Sequence, residues 1–160
     1  MKKLKHLTID KDFKTSDIVS DLLKDGYKLS DWILDISTRL NSDLNDKYEI
    51  WSVSLKDLGF SGATKLEDVF KRLNSQGFSE VPPEIALILR MHIHKHPINE
   101  WLRVATPLDS MIDKDGIPHL PKLGSGLGNL YIETYWAWPH AIFHPHNEFL
   151  VIKFNDDKKN

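Results

Sequence analysis

Histidine is the residue type in this chain best suited to chemistry. The chain has eight histidines and no cysteine, and seven of the eight lie in its C-terminal half: His92, His94 and His96 in one run, then His119, His140, His144 and His146. Imidazole ligates metals, shuttles protons and titrates near neutrality. A zinc centre without thiolates needs three or four nitrogen and oxygen ligands. His92, His96, His144 and His146 are the candidate set, with Glu148 as a base for metal-bound water, the arrangement of a metal-assisted hydrolase. A structural reading is simpler. His92 to His96 sit where a helix should end before Pro97, and imidazole is favoured at the negative end of a helix dipole. The expectation is no cofactor, with zinc as the alternative.

Other motifs lose their chemistry when their context is read. His144-Pro145-His146-Asn147-Glu148 has cupin-like ligand spacing, but no second histidine motif follows. Asp109, Asp113, Asp115 and Gly116 suggest a calcium loop, yet Met111 and Lys122 stand where oxygen ligands belong. A hairpin turn over Asp113-Lys114-Asp115-Gly116 accounts for them. Gly124-Ser125-Gly126-Leu127-Gly128 precedes a strand-like run, whereas a phosphate cradle must open a helix. Neither Ser110 nor Ser125 has a nucleophile-elbow setting. Trp101, Tyr131, Tyr135, Trp136 and Trp138 remain as a candidate contact surface, because exposed Trp and Tyr dominate binding hot spots.

The elements that must position these residues follow from periodicity. A short strand is expected over Leu4–Ile9. Ser16 reads as the cap of a helix burying Ile18, Val19, Leu22 and Leu23, ended by Gly26. A second helix from Ser30 should bury Trp32, Ile33, Ile36 and Leu40. Tyr48–Leu55 alternates as a strand. Thr64 and Glu67 read as a capping box for a third helix that Gly77 closes, and Pro82-Pro83 open a largely apolar fourth. Asp17-Ile18, Leu22, Gly26 and Tyr27 recur as Asp68-Val69, Leu73, Gly77 and Phe78. This weak repeat reads as two helix pairs, with a helix-turn-helix DNA binder as one alternative. After Pro97, strands are expected over Trp101–Thr106, Ile117–Leu123, Leu127–Trp138 and Glu148–Phe154. The implied fold is α+β: N-terminal helix pairs packed with a C-terminal antiparallel meander of about four strands. It would be one domain over 1–154, helical over about 13–96 and β over about 100–154, with a disordered tail at 155–160.

Composition narrows the partners. The chain has 160 residues, a formal charge of −2 and 28% charged residues, so nothing pulls it as a whole towards nucleic acid. Lys2, Lys3, Lys5, Lys11 and Lys14 read as a solvated basic stretch. No signal-like core or membrane-length apolar run is present. A cytoplasmic protein is expected, its partner another protein rather than nucleic acid or a membrane.

Ordered short motifs from Phe13 to Phe154 carry a resemblance: Gly26 with Ser30-Asp31-Trp32 and Asp35-Ile36, Ser54 to Phe60 with Gly62-Ala63-Thr64, and Pro82-Pro83-Glu84-Ile85 through Leu89-Arg90. Glu100-Trp101-Leu102, Asp113 to Gly116 and Phe149 to Phe154 continue it. In these the chain resembles a widespread family of small bacterial proteins without an assigned activity. Relatives tend to be acidic at His144-Pro145-His146, so the resemblance implies no metal chemistry. The reading that follows is a non-enzymatic interaction or regulatory module, with the metal-assisted hydrolase as its rival.

Overall fold

Local hydrophobic patterning produces short elements, and a single large sheet assembles them. The computed structural model describes residues 1–10, 12–96 and 100–153. In chain order its first half holds β1 (Lys2–Thr8), α1 (Thr15–Lys24), β2 (Lys28–Leu29), α2 (Asp31–Ser37), β3 (Lys47–Ser54), β4 (Thr64–Lys65) and α3 (Leu66–Ser75). Then come β5 (Phe78–Ser79), α4 (Pro83–His92), β6 (Leu102–Val104), β7 (His119–Gly126), β8 (Asn129–Trp136), β9 (Ile142–Phe143) and β10 (Glu148–Lys153). Seven strands follow the order β1-β3-β10-β6-β7-β8-β2, and β5 joins the same sheet by pairing with β10. The β10–β6 and β2–β8 pairs are parallel and the other pairs of this sheet are antiparallel.

This architecture corrects the expected helix pairs on a four-strand meander. The fold is dominated by an eight-stranded mixed sheet to which the N-terminal half contributes β1, β2, β3 and β5. Only β6, β7 and β8 pair in consecutive order, and β10 lies between β3 and β6. Local patterning marks the β1 and β3 segments as strands but says nothing about which strand each will pair with. The expected tail falls at residues 155–160, outside the described residues.

The internal repeat has a different meaning from the one expected. Each unit is helix, glycine, two-residue strand, helix: α1–β2–α2 and α3–β5–α4. Gly26 and Gly77 take φ of +88° and +86°, the left-handed exit that lets the chain turn from helix into sheet. Neither pair is a helix-turn-helix, because a strand docked in the sheet separates its helices.

Both faces of the sheet are covered. Ile18, Leu22, Ile33, Ile36, Ile85 and Leu89 carry α1, α2 and α4 onto one face. Leu66, Val69, Phe70 and Leu73 carry α3 onto the other. Residues 149–152 in β10 are therefore all buried, with Leu150 and Ile152 in the first core and Phe149 and Val151 in the second. A continuous apolar run is what a doubly covered strand requires.

Two expected caps are absent. Ser16 lies inside α1, whose N-cap Lys14 makes no side-chain cap bond. Thr64 belongs to β4 and donates to the Gly62 carbonyl at 2.9 Å, so no capping box forms. Ser30 does cap α2, accepting from the Ile33 amide at 3.3 Å. The Gly-rich segment closes the β7–β8 hairpin, with Leu127 and Gly128 at φ +50° and +80° as a two-residue turn needs.

Candidate functional site

α4 ends at His92, and the chain then continues through His94-Lys95-His96. His94 Nε2 lies 3.1 Å from the Tyr27 hydroxyl, and His96 Nε2 lies 2.9 Å from Arg90 Nη2. His144 and His146 belong to the β9–β10 connection, where their rings stack at 6.2 Å and His146 approaches Glu100 at 3.9 Å. Glu148 opens β10. Among the described residues no three His, Asp or Glu side chains are grouped to hold a metal ion.

Arg90 explains part of the histidine run. It is fully buried, and no described carboxylate neutralises it. Its guanidinium donates to the carbonyls of Gly124 at 3.1 Å, Tyr131 at 2.8 Å and Ile93. Burial lowers its pKa to about 10, so it stays charged at neutral pH. Burial first, then the Arg90 charge, holds His96 down at about 4, so His96 is neutral. A neutral imidazole accepts from Arg90; a protonated one would oppose it.

This run lines a cleft of ≈ 610 Å³ that opens over residues of β1, β3, β10 and β6. Its apolar surface comes from Leu4, Ile93 and Leu102, and its charge from Lys2, Lys5 and Lys95. A β-bulge between Lys3 and Lys5 shifts the register so that Lys5 pairs with Ile50 and shares the face of Ser52. Ser52 is 8% exposed, and its Oγ has no hydrogen-bond partner among the described residues. Leaving such a hydroxyl unpaired costs about 1–3 kcal/mol. Glu148 is the one carboxylate lining the cleft among the described residues, and burial, then Glu100 and Asp57, raise its pKa. His92 is held down by burial and then by Lys5 and His94, a sign of crowded positive charge.

The five aromatic candidates separate. Trp101, Tyr131 and Tyr135 are half-buried on the sheet face that carries α3. Lys122 Nζ sits 4.4 Å from the Trp101 ring centre and 3.9 Å from that of Tyr135, and Arg103 lies 5.0 Å from Tyr135. This cation–aromatic ladder roofs the part of the sheet built from β6, β7 and β8. Trp101 also rests on Gly124, where a Cβ would meet its ring at 2.5 Å. The glycine that looked like part of a phosphate loop makes room for an indole.

Trp136 points to the opposite face and is 61% exposed. Its cross-strand partner is His119, over which the Trp32 ring lies tilted, its centre 4.9 Å away. Trp32, expected in the core, is 43% exposed, because Ile33 and Ile36 take the buried side of α2. Trp138 follows at 39% exposed and stacks on His140 at 6.3 Å. Family models, curated proteins and solved structures were all compared with the chain, and none matches it.

Below Trp32, His119 Nε2 is 2.8 Å from Asp113 Oδ2 and its Nδ1 is 2.8 Å from Thr134 Oγ1. An ionised carboxylate only accepts, so Nε2 donates to Asp113, while Nδ1 pairs with the Thr134 hydroxyl. The residue types are those of a nucleophile relay, but His119 has no exposed surface and Trp32 lies across it. The role is structural. Asp113 Oδ1 also accepts from the amides of Asp115 and Ile117, tying the 113–117 turn to the sheet.

Sequence reasoning missed Trp32, Lys2, Lys5 and Ser52 as surface and cleft residues. Apolar periodicity assigns Trp32 to the core along with Ile33, and alternation along β1 cannot reveal a bulge.

Proposed function

We propose that this chain is a non-enzymatic interaction or regulatory module of the bacterial cytoplasm, and that its partner is another protein. The observation that carries the reading is the exposed pair Trp32 and Trp136 on one face of the sheet, either side of the His119 keystone. Large indoles on rigid elements lose little conformational entropy on contact, which is why they serve as anchors. Trp138 extends the exposed aromatic surface at the end of β8. Supporting this reading further, no helix among the described residues is long and apolar enough to cross a membrane.

The test compares wild type with a Trp32→Ala/Trp136→Ala variant in affinity capture, with sedimentation and circular dichroism alongside. A partner protein should be retained by wild type and lost with the variant, whose fold is unchanged. Two hot-spot tryptophans at about 2 kcal/mol each, about 4 kcal/mol together, imply a loss of about 1,000-fold in affinity. A partner held equally by both proteins, or a wild type that retains none, refutes the reading.

A further inference from the structure

The cleft beside α4 has a charge at odds with the rest of the chain. The protein carries −2 overall, yet among the described residues three lysines and one carboxylate meet here. None of Lys2, Lys5 and Lys95 forms an ion pair with a described carboxylate, although Lys3, Lys114 and Lys122 do elsewhere. The bulge in β1 is what brings Lys5 to the same face as Ser52. The Ser52 hydroxyl, more than nine-tenths buried and unpartnered among the described residues, lies at the cleft. Leu4, Ile93 and Leu102 add an apolar wall. Its volume lies within the range of small-molecule sites, and a few polar groups over an apolar surface is their usual chemistry.

We propose that this cleft binds a small organic anion: a carboxylate or phosphate head held by Lys2, Lys5 and Lys95, with an apolar body against Leu4, Ile93 and Leu102. The head offers acceptor oxygens to the lysines and to the Ser52 hydroxyl. The lysines are ammonium point charges rather than planar forks, so they select charge more than head geometry. A neutral molecule of the same shape leaves the excess of lysine charge over Glu148 uncompensated and binds less well.

Anilinonaphthalene sulfonate, an anionic fluorophore with an apolar body, is the direct probe, and uncharged phenylnaphthylamine is its control. The sulfonate should bind saturably at one site per chain, and the neutral compound at least about ten-fold more weakly. Lys5→Glu/Lys95→Glu should weaken the sulfonate at least about ten-fold, and Lys71→Glu, on α3 across the sheet, should leave it unchanged. Lys95→Glu alone, on an exposed residue, supplies the same test should Lys5→Glu disturb the bulge. Ser52→Ala should weaken binding without lowering the melting temperature, a split that a merely structural serine would not give. Octanoate and octyl phosphate should displace the probe, and the tighter of the two identifies the head. Equal binding of the neutral compound, indifference to the lysine reversals, or displacement by neither competitor overturns the proposal.

Discussion

Acidification from about pH 7.5 to about pH 5 should cost the folded protein about 2 kcal/mol through His96 alone. His96 is half-buried, with Arg90 Nη2 2.9 Å from its Nε2, and its pKa falls from the ordinary 6.5 to about 4. Between those two values the unfolded chain binds a proton that the folded chain refuses. Stability therefore rises with pH across this window, and is lost as pH falls from 6.5 towards 4. The whole effect is about 3 kcal/mol, at 1.36 kcal/mol per pKa unit, and about two-thirds of it is spent by pH 5. His96→Gln keeps an acceptor for Arg90 and removes the titration. Urea unfolding of both proteins at the two pH values, followed by tryptophan fluorescence, isolates the difference, since the other histidines contribute equally to each. NMR titration of the His96 ring gives its pKa directly. Equal losses in wild type and variant, or a ring titrating near 6.5, would refute the reasoning.

Arg90→Ala should destabilise the fold by about 3–5 kcal/mol in urea unfolding, because it strips buried acceptors of their donor. A change below about 1 kcal/mol would show that water satisfies those carbonyls instead. Gly124→Ala places a methyl 2.5 Å from the Trp101 ring and should cost about 1–3 kcal/mol. That cost should shrink in a Trp101→Ala background, and a double-mutant cycle without coupling would remove the contact from the account. Asp113 is held below the usual carboxylate range, chiefly by the His119 hydrogen bond. Its contribution is present above the ordinary carboxylate pKa and is lost as pH falls through the lowered one. Asp113→Asn should accordingly flatten the acid end of the stability profile, and an unchanged acid midpoint would contradict this.

Much of the local structure is legible in the residues. Gly26, Gly77 and Gly116 adopt positive φ where a helix exit or a turn was expected, Ser30 caps α2, and Pro83 opens α4. Such features depend on neighbours within four residues, whose preferences are steric and travel with the sequence. The strands of β7, β8 and β10 are legible in the same way.

Which strands pair, and therefore which side chains meet, was decided by tertiary structure. Nothing near Glu148 indicates that β10 will sit between β3 and β6, yet that placement brings Glu148 to the same cleft as Lys2 and Ser52. The bulge in β1 aims Lys5, the docking of α2 turns Trp32 outward, and Arg90 finds its carbonyls 34 and 41 residues away. The histidine run is plain in the sequence; its division between a guanidinium, a tyrosine and a cleft is not. The sequence by itself determined the local elements and the inventory of groups able to do chemistry. Only the fold determined their neighbours, because non-local pairing is chosen by burial of both sheet faces at once, a condition that no short window of residues contains.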